Sequence, residues 1–112
     1  MSKIIATALA GLCAFALPSE SRITMLASWY GPGFHGRTTA NGEKYNMHGL
    51  TAAHKNLPFG TELRICYQGC VDVRINDRGP YIGARELDLS YGAAQAVGLI
   101  HSGVANVTVD YI

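Results

Sequence analysis

The sequence predicts a mainly β fold, a small barrel of six short strands closed on itself, with one short helix. After Glu20, short apolar or alternating runs recur between Gly, Pro and Asn residues, which is typical of strands joined by turns. Only one segment, near residue 90, has the composition of a helix. The chain of 112 residues is long enough for one domain and too short for two. Closing a sheet of this size removes the exposed edges that an open sheet would have.

Residues 1–16 are predicted to be a secretory signal peptide. A basic residue precedes an apolar run that ends in the small-x-small pattern AFA at 14–16, although Pro18 leaves the exact cleavage site open. Cleavage there leaves 112 − 16 = 96 residues, so the domain is expected at 17–112. The apolar run is too short to span a bilayer. We therefore expect an exported protein of the periplasm or cell envelope, without stable membrane insertion.

The charge balance excludes some classes of partner. Loss of the signal peptide removes one lysine, so 9 − 1 = 8 Lys plus Arg balance 8 Asp plus Glu. A balanced domain has no global field that would attract nucleic acid or an anionic membrane. We expect a monomer that recognises its partner through a local site.

The three cysteines have different expected fates. Lipid anchoring through Cys13 is an alternative to simple cleavage, but Leu12 stands where the bacterial lipoprotein pattern has Gly, Ala or Ser. Cys66 and Cys70 are an even pair in an exported domain, so we predict a disulfide. The residues YQG between them suit a hairpin turn in which the glycine supplies a positive φ. A zinc site is the alternative and would need two further ligands.

Six strands and one helix can be placed along the chain. Ser90 is predicted to cap the helix YGAAQAV, and Gly98 is predicted to follow its last turn. The strands are expected at residues 23–29, 49–53, 61–66, 71–76, 85–89 and 105–112.

Asp77 lies at the end of a strand, in VRINDRGPY. Apolar residues at 71, 73 and 75 alternate with polar ones, so the alternation places Asp77 on the core-facing side, just before Gly79. A carboxylate there is either a turn former that accepts backbone N–H groups or a general acid held in a partly desolvated rim. These nine residues alone favour the turn former.

The Gly-rich segment 31–42, GPGFHGRTTANG, is predicted to be a long loop with a tight turn at Asn41 and Gly42. It lacks the Lys-Ser/Thr ending of a phosphate-binding loop and the helix that follows one. Trp29 and Tyr30 precede the loop, and with it they are expected to form a groove wall for an extended ligand. The alternative for Trp29 is a core position.

Acidic residues and a histidine in motif-like surroundings are the candidates for chemistry. The sequence contains no G-x-S-x-G elbow and no H-E-x-x-H pair, and we expect no metal and no cofactor. Asp88 lies between two leucines just before Ser90, so a structural role that binds backbone donors or an arginine is expected. The full set of candidates is Glu43, His54, Asp77 and Asp88.

Four motifs together resemble the catalytic domain of the rare lipoprotein A family of bacterial septal lytic transglycosylases: ASWYGPGFHGRTTANGEKYN, LTAAHKNLPFGT, VRINDRGPY and ELDLSYGAAQAVG. They occur in the family's order and cover nearly all of the chain after the signal peptide. The resemblance implies a six-stranded double-psi β-barrel with one or two short helices. It also implies an enzyme that cleaves the β-1,4 bond between N-acetylmuramic acid and N-acetylglucosamine within peptide-poor peptidoglycan strands, leaving 1,6-anhydro ends.

The same resemblance implies the site residues. Asp77 matches the family's NDRGP aspartate and is the candidate acid, which alone can suffice because the sugar's own C6 hydroxyl closes on C1. Glu43 is implied as a transition-state stabiliser or as the acid itself, and His54 as a substrate-binding residue that modulates a carboxyl pKa. Substrate contacts are expected from Trp29, Tyr30, Asn46 and Arg78.

Two departures from the family pattern leave other functions open. Asn46 stands where the family usually has Asp, which removes a carboxylate from the groove. The C-terminal glycan-binding repeats of long family members are not seen in this sequence, so the groove alone is expected to capture substrate. The first alternative is a non-catalytic glycan-binding or wall-loosening module that resembles expansins. A secreted inhibitor or toxin-like module is another, but it leaves the TANGE and NDRGP motifs unexplained.

Overall fold

The computed structural model describes residues 22–112, so the predicted signal peptide, its cleavage site and Cys13 lie outside the described residues. Strands and turns dominate this part of the chain. The elements, in chain order, are β1 (Arg22–Tyr30), a 3₁₀ turn (Pro32–Phe34), β2 (Thr51–His54), β3 (Glu62–Cys66), β4 (Cys70–Asp77), β5 (Leu87–Ser90), α1 (Tyr91–Val97) and β6 (Ala105–Tyr111).

The strands close into a barrel in the order β1-β5-β2-β4-β3-β6. β1 pairs in parallel with β5, and β2 pairs in parallel with β4. The remaining neighbours, β1/β6, β2/β5, β3/β4 and β3/β6, are antiparallel. A closed six-stranded barrel with this mixed pairing and a short helix is consistent with a double-psi β-barrel. The predicted fold class is confirmed.

All six predicted strands are confirmed, but two of them begin two residues later than predicted. Before β2, the Gly49 N–H donates to the Asn46 carbonyl at 2.9 Å and closes a turn. Before β5, the Arg85 N–H donates to the Ile82 carbonyl at 3.2 Å in the same way. Because the N–H groups of Gly49 and Arg85 are used in these local turns, they are not available for hydrogen bonds to a neighbouring strand.

The core is aliphatic and continuous. Every strand contributes to it, and α1 packs on the same cluster, so barrel and helix form one packed unit. The buried apolar side chains of this cluster are Met25, Ala27, Ala52, Leu63, Ile65, Val73, Ile75, Leu87, Leu89, Ala93, Ala94, Val97, Leu99, Val107 and Val109.

The helix α1 begins and ends where the sequence predicts. The Ser90 hydroxyl accepts the Ala93 N–H at 3.2 Å and donates to the Gly49 carbonyl at 2.6 Å. Gly98 ends the helix with a φ of +80°, a left-handed conformation that favours glycine. The helix has 7 residues, and between residues 22 and 112 there is no helix of the length and apolarity that crossing a bilayer requires.

The β3–β4 hairpin carries the predicted disulfide. Cys66 and Cys70 pair directly across the two strands and are covalently joined. The disulfide is therefore confirmed, and the zinc alternative is wrong because both sulfur atoms are used in the bond.

The predicted positive φ at Gly69 is wrong, since Gly69 is not among the glycines in that conformation. The tip of the hairpin instead packs against the backbone of α1. A Cβ atom at Gly69 would lie 2.9 Å from the Ala96 carbonyl oxygen, and the Gln68 N–H donates to the Val97 carbonyl at 3.0 Å. Glycine is required here because of this close approach of two backbones.

We expect Ser90→Ala to lower the free energy of unfolding by about 2 kcal/mol. Ser90 is fully buried, and its loss leaves the Ala93 N–H and the Gly49 carbonyl without their partner. Urea denaturation followed by circular dichroism measures the change. Ser102→Ala, which removes an exposed hydroxyl 3.2 Å from the Tyr67 hydroxyl, is the control and should stay within about 0.5 kcal/mol of the wild type. Equal effects of both substitutions would contradict the capping role.

Candidate active site

Asp77 lies on the outer face of the barrel, and the predicted core-facing position is wrong. A β-bulge pairs Ala52 with Ile75 but Ala53 with Asp77, so Asn76 is an extra residue on β4. An extra residue shifts the inward and outward alternation by one position. Ile75 is fully buried, whereas Asp77 is half-buried. Apolar periodicity does not reveal a bulge, so the alternation gave the wrong face.

Asp77 belongs to a row of paired residues that crosses four strands. Ser28 pairs with Asp88, Asp88 with Ala53, and Ala53 with Asp77. Laterally paired residues share one face of a sheet. The two leucines that flank Asp88 are fully buried, so this row, which we call the carboxyl row, faces outward. Ala53 places only a methyl group between the two carboxyl groups.

The Asp77 carboxylate holds the neighbouring loop against β4. Its Oδ1 accepts the backbone N–H groups of Ala40 and Arg78, both at 2.9 Å. The Tyr30 hydroxyl lies 3.4 Å from Oδ2. Among the described residues the Asp77 carboxylate thus binds the backbone of the next residue and of the loop at residue 40, rather than a donor two residues on as a turn former would.

Asp88 is a candidate that the sequence interpretation assigned to structure alone. Within residues 22–112 its hydrogen-bond partner is the Ser28 hydroxyl at 3.0 Å, rather than the backbone donors or arginine that were expected. Burial raises the pKa of the Asp88 carboxyl; the Ser28 hydrogen bond and the positive charge of Arg85 oppose this, and the negative charge of Asp77 adds a smaller increase. Its placement beside Asp77 depends on strand register, which no local sequence pattern reveals.

Glu43 is held in its ionised form. Arg74 forms a two-pronged ion pair with it, with Nη2 3.1 Å from Oε1 and Nη1 donating to Oε2. The side-chain amides of Asn41 and Asn76 donate to the same carboxylate at 2.9 and 3.2 Å. These hydrogen bonds, that from Arg74 first, lower the pKa of Glu43 to about 2. A carboxylate with this pKa is ionised at neutral pH.

The loop at residues 39–43 contacts both carboxylates. Ala40 binds Asp77 through its N–H, and Asn41 binds Glu43 through its side chain. The predicted turn is present, with the Gly42 N–H donating to the Thr39 carbonyl at 3.0 Å. Arg74 was not among the sequence candidates, although its position two residues before the bulge places it beside this loop.

His54 acts as a local acceptor at the end of β2. Its Nδ1 accepts the N–H groups of Asn56 and Leu57, both at 3.2 Å, so in the neutral ring the proton is assigned to Nε2. Burial lowers the pKa of His54. The structure places His54 next to Ala53 of the carboxyl row but gives it no hydrogen bond to a carboxyl group within the described residues.

Tyr30 is the aromatic residue of the site that contacts a carboxyl group. Its ring stacks on Tyr45 at 4.4 Å between centroids, and the Phe34 ring meets its edge at 5.6 Å. Burial, together with the nearby Asp77 charge, raises the pKa of the Tyr30 hydroxyl, which therefore remains a hydrogen-bond donor. Trp29 packs against the hydrophobic core and the edge of Tyr91, which supports the core position for it.

Asn46 and Arg78 make hydrogen bonds to nearby backbone groups, and for Arg78 one of these is the Asp77 carbonyl at 3.4 Å. The Asn46 side-chain oxygen accepts the His48 N–H at 3.0 Å within a turn. The Arg78 guanidinium lies 3.9 Å from the centroid of the Phe59 ring, and its Nη1 donates to the His54 carbonyl at 3.3 Å. Among residues 22–112, no cluster of three or more His, Cys, Asp or Glu side chains is arranged to hold a metal ion.

Comparisons with known proteins agree with the fold described above. The family described as Lytic transglycolase matches residues 22–109. The chain belongs to the lytic transglycolase family. It is 58% identical over 90 residues to the probable endolytic peptidoglycan transglycosylase RlpA of Synechocystis sp., and 52% identical over 90 residues to the endolytic peptidoglycan transglycosylase RlpA of Campylobacter jejuni. The predicted family resemblance is confirmed.

The chain corresponds to one part of these family members. Both matches cover 78% of this chain, but they cover only 28% and 33% of the two relatives. Among solved structures, the apo expansin of Clavibacter michiganensis superposes with a TM-score of 0.66 and 22% identity, over 81% of this chain and 50% of that one. At this identity the likeness shows a shared fold alone.

In this lytic transglycolase domain, Arg74→Met is expected to raise the pKa of Glu43 from about 2 toward its ordinary value of 4.5. Methionine fills similar space but removes the charge and both N–H donors. A carbon-detected NMR titration of the glutamate carboxyl measures the pKa. Arg64→Met, which breaks the exposed ion pair with Asp72, is the control and should leave the Glu43 value in place.

The same substitution should change the pH dependence of stability. Because the pKa of Glu43 is lower in the folded protein, its stabilising contribution is complete above about 4.5 and is lost as pH falls toward about 2. Arg74→Met should remove much of this loss. An unchanged pKa of Glu43 in the variant would show that Arg74 is not the main cause of the lowered pKa.

His54 is expected to make the domain less stable in mild acid. Because its pKa is lowered on folding, its contribution is present above the ordinary value of 6.5 and is lost as pH falls through the lower folded value. His54→Asn keeps an acceptor near the Nδ1 position and does not titrate, so it should reduce the loss. Thermal unfolding between about pH 8 and about pH 5 measures this. His101→Asn, at an exposed histidine, is the control, and an equal reduction in both variants would contradict the interpretation.

Proposed function

We propose that this barrel is an endolytic lytic transglycosylase domain that cleaves the β-1,4 bond between N-acetylmuramic acid and N-acetylglucosamine in peptide-poor strands. The observation that carries the proposal is the carboxyl row, in which Asp77 and Asp88 share the outer face beside the ionised Glu43. The names of the relatives, endolytic peptidoglycan transglycosylases, support the substrate and the class of reaction.

One acid can serve both steps of this reaction. In the proposed mechanism Asp77 donates its proton to the glycosidic oxygen while the bond from C1 to that oxygen breaks. The resulting carboxylate takes the proton of the C6 hydroxyl as O6 forms a bond to C1. No water enters, so the anhydro product is one water lighter than a hydrolytic fragment. A hydrolase needs a second carboxyl group to activate water or to form a covalent intermediate.

Asp88 replaces Glu43 as the second candidate for the acid. Burial raises the pKa of Asp88, so it keeps its proton to a higher pH than an exposed aspartate does. It lies on the same face as Asp77, with Ala53 between them. Glu43 is a weaker candidate because its pKa of about 2 keeps it ionised.

Glu43 is proposed to stabilise the positive charge of the transition state. A fixed carboxylate favours an oxocarbenium-like sugar without having to reorient when the charge develops. The hydrogen bonds from Arg74, Asn41 and Asn76 supply that fixed orientation. Arg74 also neutralises part of the negative charge of Glu43. The fixed orientation of the carboxylate is therefore proposed to contribute more to transition-state stabilisation than its full charge does.

A non-catalytic glycan-binding module is the second candidate function, and Asn46 favours it. The side chain at this position carries no carboxylate, and its oxygen is engaged by the His48 N–H. A groove with one fewer acidic group can still bind sugars through hydrogen bonds and aromatic contacts. It supplies less stabilisation to a positively charged transition state.

We also propose that the protein acts outside the cytoplasm, in the periplasm or cell envelope. Residues 1–16 would direct export, and peptidoglycan lies in that compartment. The Cys66–Cys70 disulfide fits an oxidising environment.

Asp77→Asn is expected to fold normally and to lose cleavage by about 100-fold or more, because asparagine keeps the shape but cannot transfer the proton. Peptide-free glycan strands are incubated with the purified protein, and mass spectrometry detects anhydro-ended products. Asp72→Asn, at an exposed carboxylate paired with Arg64, is the matched control and should retain the wild-type rate.

The possible outcomes separate the alternatives. Full activity in Asp77→Asn together with loss in Asp88→Asn would move the acid role to Asp88. Products that carry an added water would contradict ring closure and indicate a hydrolase. Strands that stay intact but sediment with the wild-type protein would contradict the enzyme and favour the binding module.

A further inference from the structure

A cleft of about 350 Å³ lies between the β3–β4 hairpin and α1. Its volume is within the range of sites that bind small molecules. None of its lining residues belongs to the carboxyl row or to the contacts of Glu43. They are Gln68, Tyr91, Gln95, Gly98, Ile100 and His101.

The walls of the cleft are rigidly built. The disulfide closes the hairpin on both sides of Gln68, and the Gln68 N–H donates to the Val97 carbonyl at 3.0 Å. The Gln68 side chain lies directly over Gly98, where a Cβ atom would be 2.6 Å from its oxygen. Both Gly69 and Gly98 thus let the hairpin sit on the end of the helix. A preformed wall of this kind reduces the ordering cost of binding.

The lining residues offer neutral hydrogen-bonding groups. Gln68 and Gln95 are exposed, and each primary amide presents a donor and an acceptor side by side. The Tyr91 ring adds a flat apolar surface. None of the six lining residues in this described part of the chain is Asp, Glu, Lys or Arg, and His101 is the one side chain among them that gains a positive charge in mild acid. A neutral sugar with an acetamido group matches these donors, acceptors and the ring face.

Tyr91 connects the cleft to the carboxyl row. Its N–H donates to the Tyr45 hydroxyl oxygen at 3.2 Å, and the Tyr45 ring stacks on Tyr30. The Tyr30 hydroxyl in turn lies 3.4 Å from Asp77. A series of direct contacts therefore runs from the carboxyl row to the wall of the cleft.

We propose that the cleft is a second carbohydrate site that binds an N-acetylhexosamine unit away from the bond that is cleaved. The proposal rests on the proposed function for its substrate class, since a glycan of alternating N-acetylated sugars offers such a unit at every position. Its role is to hold the strand on the domain while the carboxyl row acts on another position or on a neighbouring strand.

A titration of the isotope-labelled protein with N,N′,N″-triacetylchitotriose, followed by proton–nitrogen NMR, tests the proposal. We expect saturable shifts of the side-chain amide signals of Gln68 and Gln95 and of the Gly98 backbone signal. Gln95→Ala should weaken this association about tenfold. Asn106→Ala removes an exposed amide that does not line the cleft and should leave the affinity in place. Maltotriose, which has no acetamido group, should cause no saturable shift.

Each outcome is informative on its own. Shifts confined to Tyr30, Asp77 and their neighbours would overturn the second site, as would equal binding of maltotriose or an unchanged affinity in Gln95→Ala. Cleavage of glycan strands without any cleft shifts would reject the cleft and leave the proposed function standing. Cleft binding that persists in Asp77→Asn would support a site separate from the chemistry, whether or not the wild-type protein cleaves strands.

Discussion

The register of β2 between β4 and β5 is the constraint on which the candidate site depends. Ala53 pairs with Asp77 on one side and with Asp88 on the other, so one small residue fixes the spacing of two carboxyl groups. A slip of one position would turn every side chain of the strand to the opposite face. The bulge at Asn76 also helps to place the two carboxyl groups on one face. Without it the Asp77 carboxylate would point into an aliphatic core at a high desolvation cost. The core packing that holds β2 in register is thus also what holds the site together.

The surroundings of two carboxyl groups shift their pKa values in opposite directions. Arg74 and two asparagine amides lower the pKa of Glu43 to about 2, whereas burial raises the pKa of Asp88. A separation of this kind widens the range of pH over which two neighbouring carboxyl groups differ in protonation. Neither effect follows from the residue type, since an exposed Glu and an exposed Asp titrate close together. The difference between the two pKa values depends on which neighbours the barrel brings to each side chain.

Several local features of the structure could be predicted from sequence, whereas the long-range contacts of the site could not. The helix cap at Ser90, the turn at Gly42 and the Cys66–Cys70 hairpin each depend on residues a few positions apart, and all three are present. The ion pair of Glu43 with Arg74 joins residues 31 positions apart, and no pattern in either segment points to the other. The predicted face of Asp77 was wrong for a related reason. Whether a strand contains a bulge depends on how it pairs with its partner strand, which is distant in sequence. Positions where local rules fail in this way are often functional or strained ones.

The short helix is the element that the two proposed sites share. α1 is capped by Ser90, two residues after Asp88, and the Ser90 hydroxyl ties the end of β5 to the turn before β2 through the Gly49 carbonyl. At its other end Gly98 lies beneath Gln68 of the disulfide-closed hairpin. A displacement of the helix along its axis would therefore move the end of the carboxyl row and the wall of the cleft together. Since the three buried residues of the helix lie in the barrel core, that displacement is opposed by the same packing that sets the strand register.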